Sequence, residues 1–276
     1  MASISYSKLL EPVSDVISCM ESMLSGASGA TSGDQRECYK RIHAYSWGLH
    51  TLVMDVITAI GIENAGTRPA VLERFNSLVH PIKTNLNNLD AGFDGDLTDE
   101  QYQIIAYVMA TIASIERMMN NVWQFSLIKH DRLKFSVSAV DSALLMQKFV
   151  SVLGHPALQA SGVSAMVAGD ETWLSYAFGE IATNICLHGD PASASFDGQR
   201  HGNRLQITIF DAGRGFAYSD VEDPFLPYWQ ASEHNQGLGL GLYLARAFIE
   251  FSGGTVAISS ETGFGTTLNV SLPLAH

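Results

Sequence analysis

Between residues 105 and 122 apolar side chains recur as Ile105, Val108, Ile112, Ile115, Met119 and Val122, in steps that alternate between three and four. That spacing lays all six along one side of an α-helix, as a narrow seam of the kind found in bundles and coiled coils. A second stripe precedes it, made of Phe75, Leu78, Val79, Ile82, Leu86 and Leu89, and Pro69 is suited to the first turn of its helix. Residues 90–97 between the two are polar and contain Gly92 and Gly95. Thr98 and Gln101 then have the spacing of a capping box, each side chain able to satisfy a backbone N–H that the helix start leaves unpaired. The two segments predict an antiparallel hairpin with one apolar edge. A hairpin cannot bury that edge alone, so it must dock on upstream helices, on a second copy of itself, or on both.

Upstream, residues 6–23, from Tyr6 on, carry Leu9, Val13, Val16, Ile17, Met20 and Met23 at helical spacing. Small flexible residues fill 25–34, and a second helix is expected over 35–62, ending near Gly61 and Gly66. No internal repeat is evident. After Arg132 the period changes. Strands are expected at 133–140, 163–167, 193–196, 205–210, 255–259 and 267–272, with helices at 142–153, 171–187 and 240–251. The helix over 171–187 turns Trp173, Leu174, Ala177, Phe178, Ile181 and Ile185 inward. This order suits a sheet covered by helices on one face. The fold class expected is α+β: N-terminal all-α helical hairpins forming a four-helix bundle, followed by a C-terminal α/β sandwich. The expected divisions are a helical region at 1–67, the hairpin at 68–132 and the sandwich at 133–276. With 276 residues, 46% of them hydrophobic, the chain can bury two cores.

The charge balance narrows the function. Sixteen Lys and Arg face 28 Asp and Glu, a net charge of −12, without the basic surface that nucleic-acid phosphates require. Cys19, Cys38 and Cys186 are odd in number and lack zinc or disulfide spacing, which fits a reducing cytoplasm. The first ten residues do not read as a secretion signal, and no apolar run reaches the roughly 18 residues of a spanning helix. A cytoplasmic protein with no membrane span and no nucleic-acid partner is expected.

Chemistry concentrates in three glycine groups: Asp211, Gly213 and Gly215; Gly237, Gly239 and Gly241 with Leu242; and Gly263, Gly265 and Thr267. Glycines leading into an apolar helix let the backbone approach a ligand and aim free N–H groups at an anion such as phosphate. The spacing alone fits a tight turn before a buried helix equally well. It is neither a Walker A loop nor a Rossmann fingerprint. Asp211 ends an expected strand and suits an exocyclic amine, as on adenine. Glu180 and Asn184 share a helix face four residues apart, suited to a base and a Mg²⁺ ligand.

Taken in order, Gly179 to Gly189 with Glu180, Asn184 and His188, then Asp211 to Gly215, Asp223 to Phe225, Gly237 to Leu242 and Thr262 to Thr267 resemble the N, G1, F, G2 and G3 boxes of the histidine-kinase-type ATP-binding domain. The resemblance spans about 140 residues. It implies the nucleotide fold shared with gyrase-type and mismatch-repair ATPases and a heat-shock chaperone, with ATP and Mg²⁺ as cofactors. Asn184 would bind Mg²⁺, Asp211 the adenine amine, Gly213 and Gly215 would shape the pocket, and Gly237, Gly239 and Gly241 would hinge a lid and meet phosphate. His188, Leu242 and Thr267 fall in the same boxes and would line the cofactor. The chain departs from the pattern where Leu187 replaces a lysine found in many sensor kinases, and where a lid at 216–236, with Asp220, Glu222, Asp223 and Glu233, has no Lys or Arg. Phosphate charge would then fall to Mg²⁺, helix amides and Arg214.

The hairpin extends the resemblance. Ser77 to Asn85, with His80, Lys83 and Thr84, resembles the H box on the dimerising hairpin of histidine kinases. That implies a soluble histidine protein kinase working as a homodimer, which phosphorylates His80 and passes the phosphoryl group to an aspartate of a response-regulator receiver domain. Glu180 and Thr84 would assist. His43 and His50 have no such surroundings. Pro81 stands where the family has an acidic residue, and its missing N–H predicts a bend near His80. The segment from Glu180 to Gly189 equally resembles the N box of anti-sigma-factor serine kinases, which implies an ATP-binding regulator with a sigma- or anti-sigma-type partner, or a pseudokinase scaffold whose hairpin serves only docking.

Overall fold

The structure, a computed structural model, describes residues 7–154, 159–162, 164–217, 223–232 and 237–275. Tyr6, Val163, Asp220, Glu222 and Glu233 lie outside the described residues. The chain divides into two compact units, one ending at Leu133 and the other running from Lys134 onward.

The first unit is four helices: α1 (Ser7–Ser25), α2 (Gly33–Asp55), α3 (Pro69–Asp90) and α4 (Asp99–Lys129). α1 packs against α2 and α4, and α3 packs against the same two. The upstream helices therefore fill the hairpin's apolar edge. The stripes meet in one core in which Val13, Met20, Ile42, Leu49, Ile82, Leu86, Ile105 and Val122 are all at most 1% exposed. α2 is shorter than the 35–62 expected. After Asp55 it loosens into a π-helical turn (Val56–Ile60), which Gly61 ends at φ 78°, and a 3-10 turn (Ile62–Thr67) follows. α3 runs through Pro81 as one element. Thr84 Oγ1 donates to the His80 carbonyl at 3.0 Å and Asn85 Nδ2 to the Pro81 carbonyl at 2.7 Å.

The two hairpins match in geometry at their turns and caps, at an offset of 66 positions. Ser32 and Gln35 form a capping box at the start of α2, and Thr98 and Gln101 form the same box, 66 positions later, at the start of α4. Gly26 and Gly29 turn at φ 79° and 104°, and their counterparts Gly92 and Gly95 at 72° and 105°. Few side chains match at this offset, because a bundle core asks for apolar character and spacing more than identity.

The second unit contains β1 (Ser138–Asp141), α5 (Ser142–Leu153), β2 (Gln159–Gly162), β3 (Met166–Gly169), α6 (Glu171–His188), β4 (Ser195–His201), β5 (Arg204–Asp211), α7 (Gly241–Phe251), β6 (Thr255–Glu261) and β7 (Gly265–Pro273). Five strands form a sheet in the order β2-β4-β5-β7-β6, antiparallel except for the β2–β4 pair, while β1 and β3 form a separate antiparallel ribbon. The first expected strand shrinks to β1, and β2 was not anticipated. Alternation along β5 buries Leu205, Ile207, Ile209 and Asp211. On that face Phe149 of α5 and Phe178 of α6 meet Phe196 at ring distances of 5.5 and 5.8 Å, and Trp173 stacks on Phe248 of α7 at 4.9 Å. Polar side chains such as Thr208 and Asn269, hydrogen-bonded at 3.1 Å, occupy exposed positions. The helices thus cover one face, and α6, the end of β5 and the start of α7 are brought together by that packing.

Candidate functional site

α6 starts on Asp170, whose Oδ1 accepts from the Thr172 and Trp173 amides, a side-chain cap of the usual kind. Its apolar face fixes the rotation of the helix. Glu180 is thereby 6% exposed, and Asn184, one turn on, lies beside it. Both face the first residue of α7: a β-carbon on Gly241 would lie 2.7 Å from Glu180 Oε2 and 3.5 Å from Asn184 Nδ2. Any other residue at 241 would fill this space. Asn184 Nδ2 is buried and has no hydrogen-bond partner among the described residues, a state that costs free energy unless a ligand satisfies it. No side chain caps α7, where Leu240 holds the N-cap position. Its first-turn amides have no acceptor within the helix, and they carry the positive end of its dipole.

The turn before α7 is held from outside. Gly239, at φ 69°, has no room for a side chain, since a β-carbon would come within 2.4 Å of the Trp229 carbonyl, and its own carbonyl accepts from the Tyr228 amide at 2.9 Å. Gly237 O accepts from Gln230 Nε2 at 2.9 Å. Leu242 is half-buried in the first turn of α7. Arg246, one turn further on, bonds Asp223 Oδ2 at 2.8 Å and Glu250 Oε1 at 2.8 Å, and lies 5.5 Å over the Phe225 ring. This fastening of residues 223–225 to α7 was not foreseen. The Asp223, Pro224, Phe225 triplet was visible, but its cation lies 23 positions away.

Asp211 ends β5 at 3% exposure. Its Oδ1 accepts from the Gly213 amide at 2.9 Å and the Asp190 amide at 3.4 Å, while Oδ2 accepts no hydrogen bond among the described residues. Burial pushes its carboxyl above the ordinary aspartate value against the pull of the Gly213 and Asp190 amides, and the Asp190 charge adds to the rise. Gly189 and Gly213 close around it, a β-carbon on either falling 2.6 Å from Oδ1. The importance of Gly189 was missed. Gly215, at φ 56°, packs on the Glu261 carbonyl, and Gly265 packs on the Asp211 carbonyl. Thr267 pairs with Phe210, next to Asp211 in the sheet. His188 Nδ1 lies 3.3 Å from Arg214 Nη2.

The other candidates belong to the helical unit. His80 is exposed on α3, and its imidazole has no hydrogen-bond partner among the described residues. Beside it the Lys83 ammonium bonds both Glu116 oxygens, at 3.1 and 2.9 Å. The Thr84 hydroxyl is directed at the backbone rather than at the imidazole.

Residues 169–276 match the family described as histidine kinase-, DNA gyrase B- and HSP90-like ATPase. The chain is 27% identical over 218 residues to histidine protein kinase DivJ of Caulobacter vibrioides, covering 72% of this chain and 36% of DivJ. It is 25% identical to sensor protein PfeS of Pseudomonas aeruginosa over 72% of this chain and 46% of PfeS. The chain carries a histidine kinase core. Its fold is shared with histidine kinase AdeS of Acinetobacter baumannii, at a TM-score of 0.51 and 17% identity, covering 73% of this chain and 98% of the AdeS chain. Full-length ShkA, solved in complex with AMPPNP, also gives 0.51, at 20% identity, over 74% of this chain and 46% of the ShkA chain. This kinase core spans between about a third and a half of the length of the curated relatives above. None of its described helices is long and apolar enough to cross a membrane.

Proposed function

We propose that the chain is a cytoplasmic histidine protein kinase that binds Mg-ATP in its C-terminal unit and phosphorylates His80. The observation that carries this reading is the pairing of an orphaned Asn184 amide with the side-chain-free space at Gly241, beside the uncapped start of α7. A nucleotide entering there finds Asp211 Oδ2 open to accept the adenine amine, and the α7 amides and Gly237 to Gly241 backbone available to phosphate. The residues fit a divalent ion as well. Asn184 would hold Mg²⁺ through its carboxamide oxygen with Glu180 next to it, and the ion would supply charge neutralisation to the phosphates.

Transfer then needs positioning more than chemistry. An imidazole nitrogen of His80 forms the N–P bond as the bond from the γ-phosphorus to the β,γ-bridging oxygen breaks, releasing ADP, and the ring proton passes to Glu180 or to water. A receiver-domain aspartate takes the phosphoryl group next, forming an O–P bond as the N–P bond breaks. Pro81 favours a second reading, because no carboxylate follows His80 and Glu180 would then serve as base for a partner's hydroxyl. Labelling with γ-labelled ATP and Mg²⁺ separates the two. Acid-labile, alkali-stable label lost in His80→Gln is expected; absence of self-labelling in any condition would leave the regulator reading in its place.

A further inference from the structure

The two helical hairpins interlock through equivalent residues. Gln35, at the third position of α2, sends Nε2 to the Gly95 and Asp96 carbonyls of the other hairpin's loop, at 3.1 and 2.9 Å. Gln101, its counterpart 66 positions later, sends Nε2 to the Ala30 carbonyl at 3.1 Å, and Ala30 is the counterpart of Asp96. The glycines answer one another in the same way. A β-carbon on Gly29 would face the Thr98 and Gln101 side chains, and one on Gly95 would face those of Gln35 and Ser32. Both glutamines are buried, at 2% and 1% exposure. The core keeps the register, with Val16 against Ile82, Met20 against Leu86 and Ile42 against Val108 as equivalent positions, each at most 1% exposed.

We infer that the bundle is a fused dimer: residues 7–60 are a second copy of the hairpin at 73–126, and they occupy in the same chain the seam that another chain's hairpin would otherwise fill. The chain is therefore a monomer through this bundle, replacing the homodimer that family resemblance implies. A closed interface of two-fold type matches a patch to itself, and here both patches are already used. The fusion is also asymmetric. Ser14, whose hydroxyl donates to the Leu10 carbonyl at 3.1 Å, stands where the second copy has His80, and buried Ile17 stands where it has exposed Lys83. One half of the bundle carries the histidine, and the other half is its structural partner. The fusion stands on this geometry; that His80 accepts phosphate rests on the functional reading above.

Sedimentation equilibrium of the full chain, over a hundredfold range of concentration in the micromolar region, should return the single-chain mass of 29.9 kDa. Twice that mass would overturn the inference. A covalent trap locates the pairing. Cys38 Sγ donates to Asp94 Oδ2 at 3.2 Å across the hairpins, so Asp94→Cys, in a Cys19→Ser and Cys186→Ser background, sets a thiol opposite Cys38. Oxidation should form the link inside one chain, which then runs as a monomer under denaturing, non-reducing conditions. A disulfide-linked dimer would mean that the hairpins pair between chains and would refute the fusion. The mass of the unaltered chain decides the matter even where the trap variant does not fold. A monomeric chain that never labels with ATP defeats the kinase reading and leaves the fusion intact.

Discussion

The two units of this chain use their sequences in opposite ways. In the helical unit apolar residues at three-to-four spacing carry the architecture, and identity at each core position is loose enough that Tyr39 and Ile105 occupy equivalent places, both fully buried. In the ATPase unit the candidate site hangs on single atoms: a missing β-carbon at Gly241 and, among the described residues, one open oxygen on Asp211 and one orphaned nitrogen on Asn184. A pattern tolerates substitution because many weak contacts share the load. A site assembled from backbone approach and buried polar groups does not, since each lost contact leaves a void, a clash or an unsatisfied group.

The comparison is broken most forcefully at Gly215. A β-carbon there would fall 2.0 Å from the Glu261 carbonyl, on a residue already at φ 56°. Gly215→Ala should destabilise the ATPase unit by at least about 3 kcal/mol, combining strain with a displaced turn. Hydrogen exchange should show protection lost over β5 and β7 and kept over α1 to α4. Equal loss in both units would mean that they fold as one and would undo the contrast.

A smaller effect, confined to binding, is expected at Asp211. Asp211→Asn retains an oxygen for the Gly213 amide but turns Oδ2 into a donor, so ATP affinity by calorimetry should fall roughly ten- to a hundredfold, as for about 1.5–3 kcal/mol. Stability should move the other way. A carboxyl raised by burial holds its proton more tightly in the folded state, so its stabilising contribution is present below the ordinary value of 3.8 and is lost as pH rises through the raised value. At neutral pH the asparagine variant should melt no lower than the parent without nucleotide. Affinity of the parent should weaken as pH falls toward the raised value, and the variant should lack that dependence. Unchanged affinity in the variant would remove Asp211 from the adenine site.

What was legible in the sequence follows the same division. The stripes of α3 and α4, the capping box at Thr98 and the helix α5 were readable because local period and cap chemistry determine them. The glycine groups were readable as turns, and their order revealed the family. β2 was not legible: Gln159, Ala160, Ser161 and Gly162 offer no branched or aromatic residue, and only pairing with β4 makes them a strand. The Arg246–Asp223 fastening and the closure of Gly189 on Asp211 depend on tertiary approach between distant positions. The duplication was hidden for a different reason. What the copies preserve is two glycine φ values, a cap and one glutamine, which are points of geometry scattered among unlike side chains.

The gentlest change tests that equivalence most directly. Gln35 and Gln101 each accept from their own N-cap amide, at 2.9 and 3.0 Å, and donate to the opposite loop. Gln35→Ala and Gln101→Ala each remove one reciprocal cap and expose buried carbonyls to loss of a donor, about 1–2 kcal/mol apiece. Gln35 should be the more costly by a few tenths, since it serves two carbonyls where Gln101 serves one. Urea unfolding of the helical unit should give these values. The double variant should show near-additive loss, because each glutamine satisfies a separate loop and shares no partner with the other. If one substitution were neutral while the other cost 2 kcal/mol, the hairpins would be alike in outline alone, and the fused-dimer account would lose its strongest support.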